Sequence, residues 1–167
     1  MRFESGELQS SHVLTEFDCT QRSLNDWLTT SAHRANTSGT AKVYVWTAPP
    51  SATVHAYFAI CPTEVVREQD GISRSMSGGH SRIPGFLLAR LALDRSIHGA
   101  GYGGQLLLDA IERIVAASAI SGGRLIVVDA IDDEAARFYE RFGFIRVTHR
   151  PRRLVMKVAT AAAALHT

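Results

Sequence analysis

Four glycines stand within six residues of the sequence, at Gly99, Gly101, Gly103 and Gly104, between an apolar stretch and a segment with helical apolar spacing. Glycine allows a backbone to turn tightly and to approach a ligand closely. A helix that begins directly after such a loop directs its free N–H groups and the positive end of its dipole into the loop. The pattern therefore predicts a loop that holds a phosphate-bearing cofactor.

Two other glycine-rich phosphate loops fit the sequence less well. Residues 99–104 satisfy G-x-G-x-x-G, but the dinucleotide fingerprint follows a first strand and has an acidic residue about 20 positions later. Here about 90 residues of mixed helix and strand character precede the glycines, and only a short helix and a hairpin follow Asp129. No G-K-[ST] follows the glycines, which excludes a Walker loop.

A second pattern, "DDEAARFY" at residues 132–139, lies about 40 residues further on and precedes a G-F turn. The two patterns resemble the signatures of the GNAT family of acetyl-coenzyme A-dependent N-acetyltransferases. Residues 98–103 resemble Q/R-x-x-G-x-G/A, with His98 in place of Gln or Arg, and residues 132–139 resemble N-x-x-A-x-x-F-Y, with Asp132 in place of Asn. The resemblance covers residues 85–158. It implies an α/β (α+β) GNAT acyltransferase fold, a central mixed, mostly antiparallel sheet of six to seven strands flanked by helices.

The resemblance also implies a role for each matching residue. Tyr139 would be the general acid that protonates the departing sulfur of coenzyme A, since a phenol with a pKa of about 10 keeps its proton at neutral pH. Backbone N–H groups of residues 91–93 would hold the pantetheine arm and polarise the thioester carbonyl. Without the resemblance, Tyr139 and the two leucines would be interpreted as core packing. The implied cofactor-binding residues are Leu91, Ala92, Leu93, His98, Gly99, Ala100, Gly101, Tyr102, Gly103, Gly104, Asp132, Ala135 and Phe138.

Three longer stretches, "FDCTQRSLNDWL", "IPGFLLARLALDRSIHGAGYG" and "VVDAIDDEAARFYERFGF", resemble the GNAT toxins of toxin–antitoxin systems. Thr20 stands where this branch usually has Gly. The resemblance covers nearly the whole chain except residues 67–82 and the end. It implies a toxin that transfers acetyl from acetyl-CoA to the α-amine of aminoacyl-tRNA, which blocks translation and arrests growth. It further implies a homodimer and a cognate ribbon-helix-helix DNA-binding antitoxin.

Two other functions stay open on the residues alone. The chain could acetylate a small-molecule amine or a protein N-terminus by the same chemistry. It could also be a module that binds the cofactor as a regulatory ligand without catalysis, which the presence of Tyr139 argues against.

A general base is missing from the strand that would line the acetyl group, because "GFLLARLAL" contains no carboxylate and only Arg90 is charged. An α-amine titrates at about 7.7–8.0, and a neighbouring ester lowers this value further, whereas a lysine amine at about 10.4 needs a base. The missing carboxylate favours an aminoacyl ester as acceptor. Water, His55 or Asp94 are alternative bases.

The formal net charge is only +2, but arginines are frequent in the last third of the chain. Such a basic region is typical of nucleic-acid binding. The alternative is a solvated face whose arginines pair with Asp132, Asp133, Glu134 and Glu140. The candidate tRNA phosphate contacts are Arg90, Arg95, Arg137, Arg150, Arg152 and Arg153.

The composition is that of a soluble globular protein, with 46% hydrophobic and 20% charged residues among 167. No apolar run reaches the roughly 18 residues that span a membrane, and the N-terminus is too polar for a signal peptide. Cys19 and Cys61 form no metal-ligand or disulfide pattern. We therefore expect a cytoplasmic protein without a metal.

The order of apolar segments predicts one domain over residues 1–158 and a disordered tail at 159–167. We expect a mobile loop at 67–82, which is polar and rich in Gly and Ser, and a helix over 23–35 that begins with a capping box at Ser23 and Asp26. The predicted strands are 11–17, a hairpin of 41–48 and 53–60, 84–94, 123–130, 143–149 and 152–158, with further helices from the glycine loop to about 120 and over 132–142.

Overall fold

Seven strands, seven α-helices and a short 3-10 helix form from residues 2–166, the part of the chain that the computed structural model describes. The strands are β1 Glu4–Glu7, β2 Lys42–Thr47, β3 Ala56–Val66, β4 Arg82–Leu93, β5 Leu125–Asp129, β6 Ile145–Val147 and β7 Arg150–Lys157. The helices are α1 Arg22–Thr30, α2 Ala32–Ser38, α3 Arg67–Asp70, α4 Arg74–Ser77, α5 Tyr102–Ser121, α6 Asp133–Arg141 and α7 Val158–Leu165, and the 3-10 helix is Arg95–Ile97.

The strands belong to one sheet in the order β1-β2-β3-β4-β5-β7-β6. β4 and β5 are parallel, whereas β1 with β2, β2 with β3, β5 with β7, and β6 with β7 are antiparallel. The predicted mixed, mostly antiparallel sheet with flanking helices is thereby confirmed.

The chain divides into two compact units. The first contains the described residues up to Cys61 together with Ala89–Ala110, and the second contains Pro62–Leu88 together with the described residues from Ile111 onward. β3, β4 and α5 each contribute residues to both units. The prediction of a single domain over 1–158 stays a prediction.

The first unit has a core between α1 and the hairpin of β2 and β3. Leu28 of α1 and Tyr57 of β3 are fully buried, and the Tyr57 hydroxyl donates a hydrogen bond to the Leu24 carbonyl oxygen at 2.7 Å. The predicted hairpin is present, but the single helix predicted over 23–35 is divided at Ser31 into α1 and α2. The capping box is wrong, because α1 begins at Arg22 after Gln21 and no side chain caps it.

The second unit is centred on β5, whose residues Leu125, Ile126, Val127 and Val128 are fully buried. Parallel pairing with β4 places Gly85 opposite Leu125. A Cβ on Gly85 would lie 2.7 Å from the Leu125 carbonyl oxygen, so only glycine fits this close approach.

The prediction of a first strand at residues 11–17 was wrong. β1 is the polar segment Glu4–Glu7, and residues 11–17 contribute only an isolated bridge between Val13 and Thr53. Leu14 and Phe17 are buried as anchors of an irregular segment. Their apolar character, which suggested a strand, reflects packing without sheet pairing.

Residues 67–82, which were predicted to be a mobile loop, contain two four-residue helices, α3 and α4, and the first residue of β4. Ser73 caps α4 by accepting a hydrogen bond from the Met76 N–H at 3.0 Å. Asp70, at the end of α3, is buried and pairs with arginines of β7. These polar contacts order a segment whose composition suggested mobility.

The expected disordered tail also differs from the structure, since α7 extends from Val158 to Leu165. Its alanines favour helix, and Val158 and Ala161 are buried. Thr167 lies outside the described residues. Within residues 2–166, no helix combines the length and apolar character needed to cross a membrane.

Candidate functional site

The glycine loop connects the 3-10 helix to α5, as the sequence predicts. Gly99 and Gly101 have φ angles of +77° and +85°, a left-handed conformation that favours glycine. A Cβ on either residue would meet no atom within 4 Å, so the loop is open on the side where these side chains would stand. The first N–H groups of α5 have no acceptor within the helix and follow directly. This donor set, with free space beside it, fits a pyrophosphate group.

His98 links this loop to the end of β4. Its Nε2 atom lies 2.8 Å from the Leu93 carbonyl oxygen, and because a carbonyl only accepts, Nε2 carries the hydrogen of this bond. Leu91 and Leu93 are half-buried and Ala92 is buried. The three predicted strand residues, His98 and the glycines therefore form one continuous segment of the first unit.

Asp94, at the junction of β4 and the loop, is held by four hydrogen bonds. Its carboxylate accepts from the Asp18 N–H at 2.9 Å and from the N–H and hydroxyl of Ser96 at 3.0 and 2.6 Å, and its own N–H donates to the His55 carbonyl oxygen at 2.8 Å. Burial opposes ionisation of Asp94, but the bonds from Ser96 and Asp18 outweigh it and lower its pKa. A carboxylate held in this way positions the backbone and is a poor proton acceptor.

The segment around Asp18 had no role in the sequence-based prediction of the site. Asp18 Oδ1 accepts from the Thr20 N–H at 2.9 Å and from the Asn25 amide at 3.0 Å, and the Asp18 carbonyl oxygen accepts from the Arg95 N–H at 2.8 Å. Thr20 has a φ of +75°, a conformation in which glycine is usual. The "FDCT" stretch thus stabilises, through hydrogen bonds, the turn that precedes the glycine loop.

Arg90, one residue before the proposed pantetheine contacts, has an unusual environment. Its guanidinium carbon lies 4.6 Å from the centre of the Trp27 ring. Its Nε atom is buried and has no hydrogen-bond partner among residues 2–166. The predicted phosphate contact therefore stacks on an aromatic ring of α1.

In the second unit, Tyr139 lies on the buried face of α6. Its ring packs between Phe138 and Phe144, with centroids 5.3 and 5.6 Å away, and the residue is 9% exposed. Burial raises the pKa of Tyr139 above its usual value, so the phenol keeps its proton. No described residue forms a hydrogen bond with its hydroxyl. The proton of Tyr139 is thus available for donation.

Asp132 occupies the N-cap of α6, where Oδ1 accepts a hydrogen bond from the Ala135 N–H at 2.8 Å. Aspartate caps a helix as well as the asparagine that it replaces. The side chain that the sequence suggested for cofactor binding is therefore occupied by a local structural contact. Ala135 and Phe138, on the same helix, are half-buried.

The candidate phosphate contacts differ in how freely they can reach a ligand. Arg95 is exposed and lies 3.7 Å from an Asp18 carboxylate oxygen, and Arg137 is exposed with no ion pair among residues 2–166. Arg150 and Arg152 are half-exposed, 3.4 Å from Asp70 and 3.6 Å from Asp133.

Arg153, another predicted phosphate contact, is already paired within the protein. Its side chain is 14% exposed, and it donates to both carboxylate oxygens of Asp129 at 2.8 and 2.9 Å and to Asp70 at 3.1 Å. The hydrogen bonds with Asp129 and Asp70 outweigh burial and raise the pKa of Arg153. Its guanidinium supports the fold and has little freedom to contact a phosphate.

The Acetyltransferase (GNAT) domain profile matches residues 55–146, which is more than half of the chain. The chain belongs to the GNAT acetyltransferase family. It is accordingly an acetyl-CoA-dependent N-acetyltransferase, as the two sequence patterns implied. The prediction of the family is confirmed.

Relatives of this GNAT chain include bacterial toxins. The tRNA-acetylating toxin of Mycobacterium tuberculosis (strain ATCC 25618 / H37Rv) is 34% identical over 131 residues, which cover 78% of this chain and 77% of that protein. AtaT complexed with acetyl-methionyl-tRNAfMet has a TM-score of 0.90 and 27% identity, covering 99% of this chain and 100% of that chain. An AtaT mutant toxin bound to the C-terminus of the antitoxin AtaR and acetyl-CoA has a TM-score of 0.83 and 25% identity, covering 99% of both chains.

Proposed function

We propose that this chain is a toxin that transfers an acetyl group from acetyl-CoA to the α-amine of an aminoacyl-tRNA and thereby blocks translation and arrests growth. The observation that carries the proposal is the similarity over 99% of the chain to AtaT complexed with acetyl-methionyl-tRNAfMet. The 34% identity to a tRNA-acetylating toxin supports the same acceptor.

The first unit supplies the cofactor site in this proposal. The backbone around Gly99 and Gly101 would hold the pyrophosphate, and the N–H groups of residues 91–93 would hold the pantetheine arm. Acetyl-CoA, when bound, supplies an acetyl group on a thioester. His98 would position the loop through its bond to Leu93.

Tyr139 would act as the general acid. The amine nitrogen forms a bond to the acetyl carbon while the carbon–sulfur bond breaks, and the phenol proton goes to the departing sulfur. The hydroxyl keeps its proton at neutral pH, as a general acid must before the sulfur departs. The resulting phenolate regains a proton from water, and the acylated nitrogen releases one to water.

The acceptor follows from the ionisation of its amine. β4 carries no carboxylate between Arg82 and Leu93, so this strand offers no general base. An aminoacyl α-amine is partly neutral at physiological pH and can react without one, whereas a lysine side chain is almost fully charged. Without a general base on β4, the acceptor amine must lose its proton to water, and this requirement favours an aminoacyl ester as the acceptor.

The proposal extends to partners and compartment. An AtaT mutant binds the C-terminus of an antitoxin. We propose a cognate antitoxin with a ribbon-helix-helix DNA-binding domain, a homodimeric toxin and a cytoplasmic location. Co-purification with the product of a neighbouring short gene and light scattering of the purified chain test the first two of these points.

The decisive experiment supplies purified protein with labelled acetyl-CoA and four acceptors: aminoacylated tRNA, the same tRNA without its amino acid, a polyamine and a peptide. We expect label on aminoacylated tRNA alone, sensitive to mild alkali that cleaves the aminoacyl ester. Labelling of the polyamine or peptide without aminoacyl-tRNA would replace the proposal by a small-amine or N-terminal acetyltransferase.

A further inference from the structure

Arg90 is a half-buried cation with no anionic partner among the described residues. Its guanidinium stacks on Trp27 and its buried Nε–H meets no acceptor. The Trp27 ring is in turn stacked on Tyr57, with centroids 6.1 Å apart and planes within 9°. The guanidinium of Arg90 therefore lies over the outer ring of an aromatic pair.

Two titratable groups that are influenced by the charge of Arg90, Tyr57 and Cys61, are neutral at physiological pH. Burial raises the pKa values of Tyr57 and Cys61, although the charge of Arg90 opposes both increases. The Tyr57 hydroxyl is already committed to the Leu24 carbonyl oxygen. Since a partly buried charge is costly unless it is paired, a group outside this environment is expected to supply the counter-charge.

The position of Arg90 along β4 indicates where that group comes from. In the proposed function the pyrophosphate lies at residues 99–104, and the pantetheine arm follows residues 91–93 back along the strand. The thioester end of the cofactor is therefore directed toward residue 90. Arg90 is adjacent to the place where acceptor and acetyl group meet.

We propose that Arg90 binds the phosphodiester next to the terminal nucleoside of the acceptor RNA, using Trp27 as a platform. This inference rests on the proposed function, because the aminoacyl ester is carried by the terminal ribose and the nearest anion to it is that phosphodiester. A planar guanidinium matches two phosphate oxygens, which a single ammonium does not. Arg90 is thus a specificity residue that distinguishes an RNA-borne amine from a free amine.

The test compares two acceptors that differ by one phosphate. One is adenosine with an amino acid attached through a 3′ amide, and the other is the dinucleotide cytidylyl-adenosine with the same attachment. For Arg90→Gln, we expect kcat/KM on the dinucleotide to fall about 10- to 100-fold through KM, as for loss of a charged hydrogen bond. The rate on the phosphate-free adenosine stays within about twofold. Arg90→Lys, which keeps the charge, should give a smaller loss on the dinucleotide.

Arg22→Gln is the matched control, because Arg22 on α1 is 95% exposed and 3.7 Å from Asp26. This variant should have the same kcat/KM as the parent on both acceptors. Melting temperatures show whether the Arg90 variants are folded. An equal loss on both acceptors from a folded Arg90→Gln protein would mean that Arg90 only supports packing and would overturn the proposal.

Coenzyme A also carries phosphates, so its affinity is measured separately by calorimetry. Unchanged affinity for acetyl-CoA in Arg90→Gln supports the RNA as the source of the phosphate, and a matching loss of affinity would assign Arg90 to the cofactor. Binding of uncharged tRNA as a function of salt requires no acetyl transfer. In Arg90→Gln, the plot of log affinity against log salt should become less steep by about one unit, which corresponds to the loss of one phosphate contact. An unchanged slope would contradict this contact, whether or not the protein acetylates aminoacyl-tRNA.

Discussion

The imidazole Nε2 of His98 lies 2.8 Å from the carbonyl oxygen of Leu93. These residues stand at the two ends of a short bridge, formed by Asp94 and the 3-10 helix, between β4 and the glycine loop. Because the carbonyl oxygen only accepts, Nε2 donates this bond. The side chain of His98 therefore links the end of β4 to the start of the glycine loop.

His98→Ala should raise the dissociation constant of acetyl-CoA about two- to tenfold, because one exposed hydrogen bond that orders the loop is lost. His98→Gln should retain most of the affinity, since a Gln amide can donate to the same carbonyl. Calorimetry of the parent and both variants checks this. Equal losses in the two variants would indicate that the ring itself, and not its donor, is required.

Tyr139→Phe should lower kcat about 10²–10⁴-fold, the usual size of general acid catalysis, while the affinity for acetyl-CoA stays the same. The free energy of unfolding should change by less than about 1 kcal/mol, because no described residue accepts or donates a hydrogen bond at this hydroxyl and the ring contacts with Phe138 and Phe144 remain. Single-turnover acetylation and urea unfolding provide the two readouts. A rate within a few-fold of the parent would place the acid elsewhere.

Thr20→Gly should stabilise the protein. The left-handed conformation at φ +75° costs a non-glycine residue about 1–2 kcal/mol, partly offset by the greater freedom of glycine in the unfolded chain. We expect a gain of about 0.5–1 kcal/mol and a Tm higher by about 1–4 °C.

Thr15→Gly serves as its control, since Thr15 is exposed and has no positive φ. It should destabilise slightly or have no effect. A Thr20→Gly variant that melts below the parent would show that the threonine side chain contributes a favourable contact.

Asp70→Asn should destabilise the protein by about 1–2 kcal/mol, the size of a charged hydrogen bond. The Asp70 carboxylate is 4% exposed and lies 3.1 Å from Arg153 and 3.4 Å from Arg150, whereas Arg153 keeps its bonds to Asp129 in the variant. Glu64→Gln breaks the exposed pair with Arg82 and should cost less than about 1 kcal/mol. Urea unfolding compares the two, and hydrogen exchange should increase at residues 67–82 only in Asp70→Asn.

The parts of the molecule that could be predicted from sequence are those specified by neighbouring residues. The glycine loop and α6 lie on contiguous patterns, and the β2–β3 hairpin follows from β-branched and aromatic residues on both sides of a proline turn. α5 was predicted from its length and regular apolar spacing. In each case the sequence pattern lies within the element that it predicts.

Contacts between distant positions could not be predicted from the sequence. Arg153 was predicted to contact phosphate, and its guanidinium also meets Asp70, 83 residues away, a pairing that a charge count cannot show. This contact joins α3 to β7, although the composition of residues 67–82 predicts a mobile loop. β1 was missed because an exposed edge strand with the sequence ESGE has no alternation to detect.

Asp70 also has a consequence for how sequences related to this one can change. A chain that loses the acid at position 70 while keeping Arg150 and Arg153 would retain two guanidinium groups that have lost a shared buried anion. Substitutions at positions 70, 150 and 153 should therefore be correlated among homologues, although neither Asp70 nor the arginines need take part in acetyl transfer. In an alignment, Asp70 and these arginines would vary together as the residues of a functional site do. The cause would be structural, because their ion pairs hold the short helix α3 against β7.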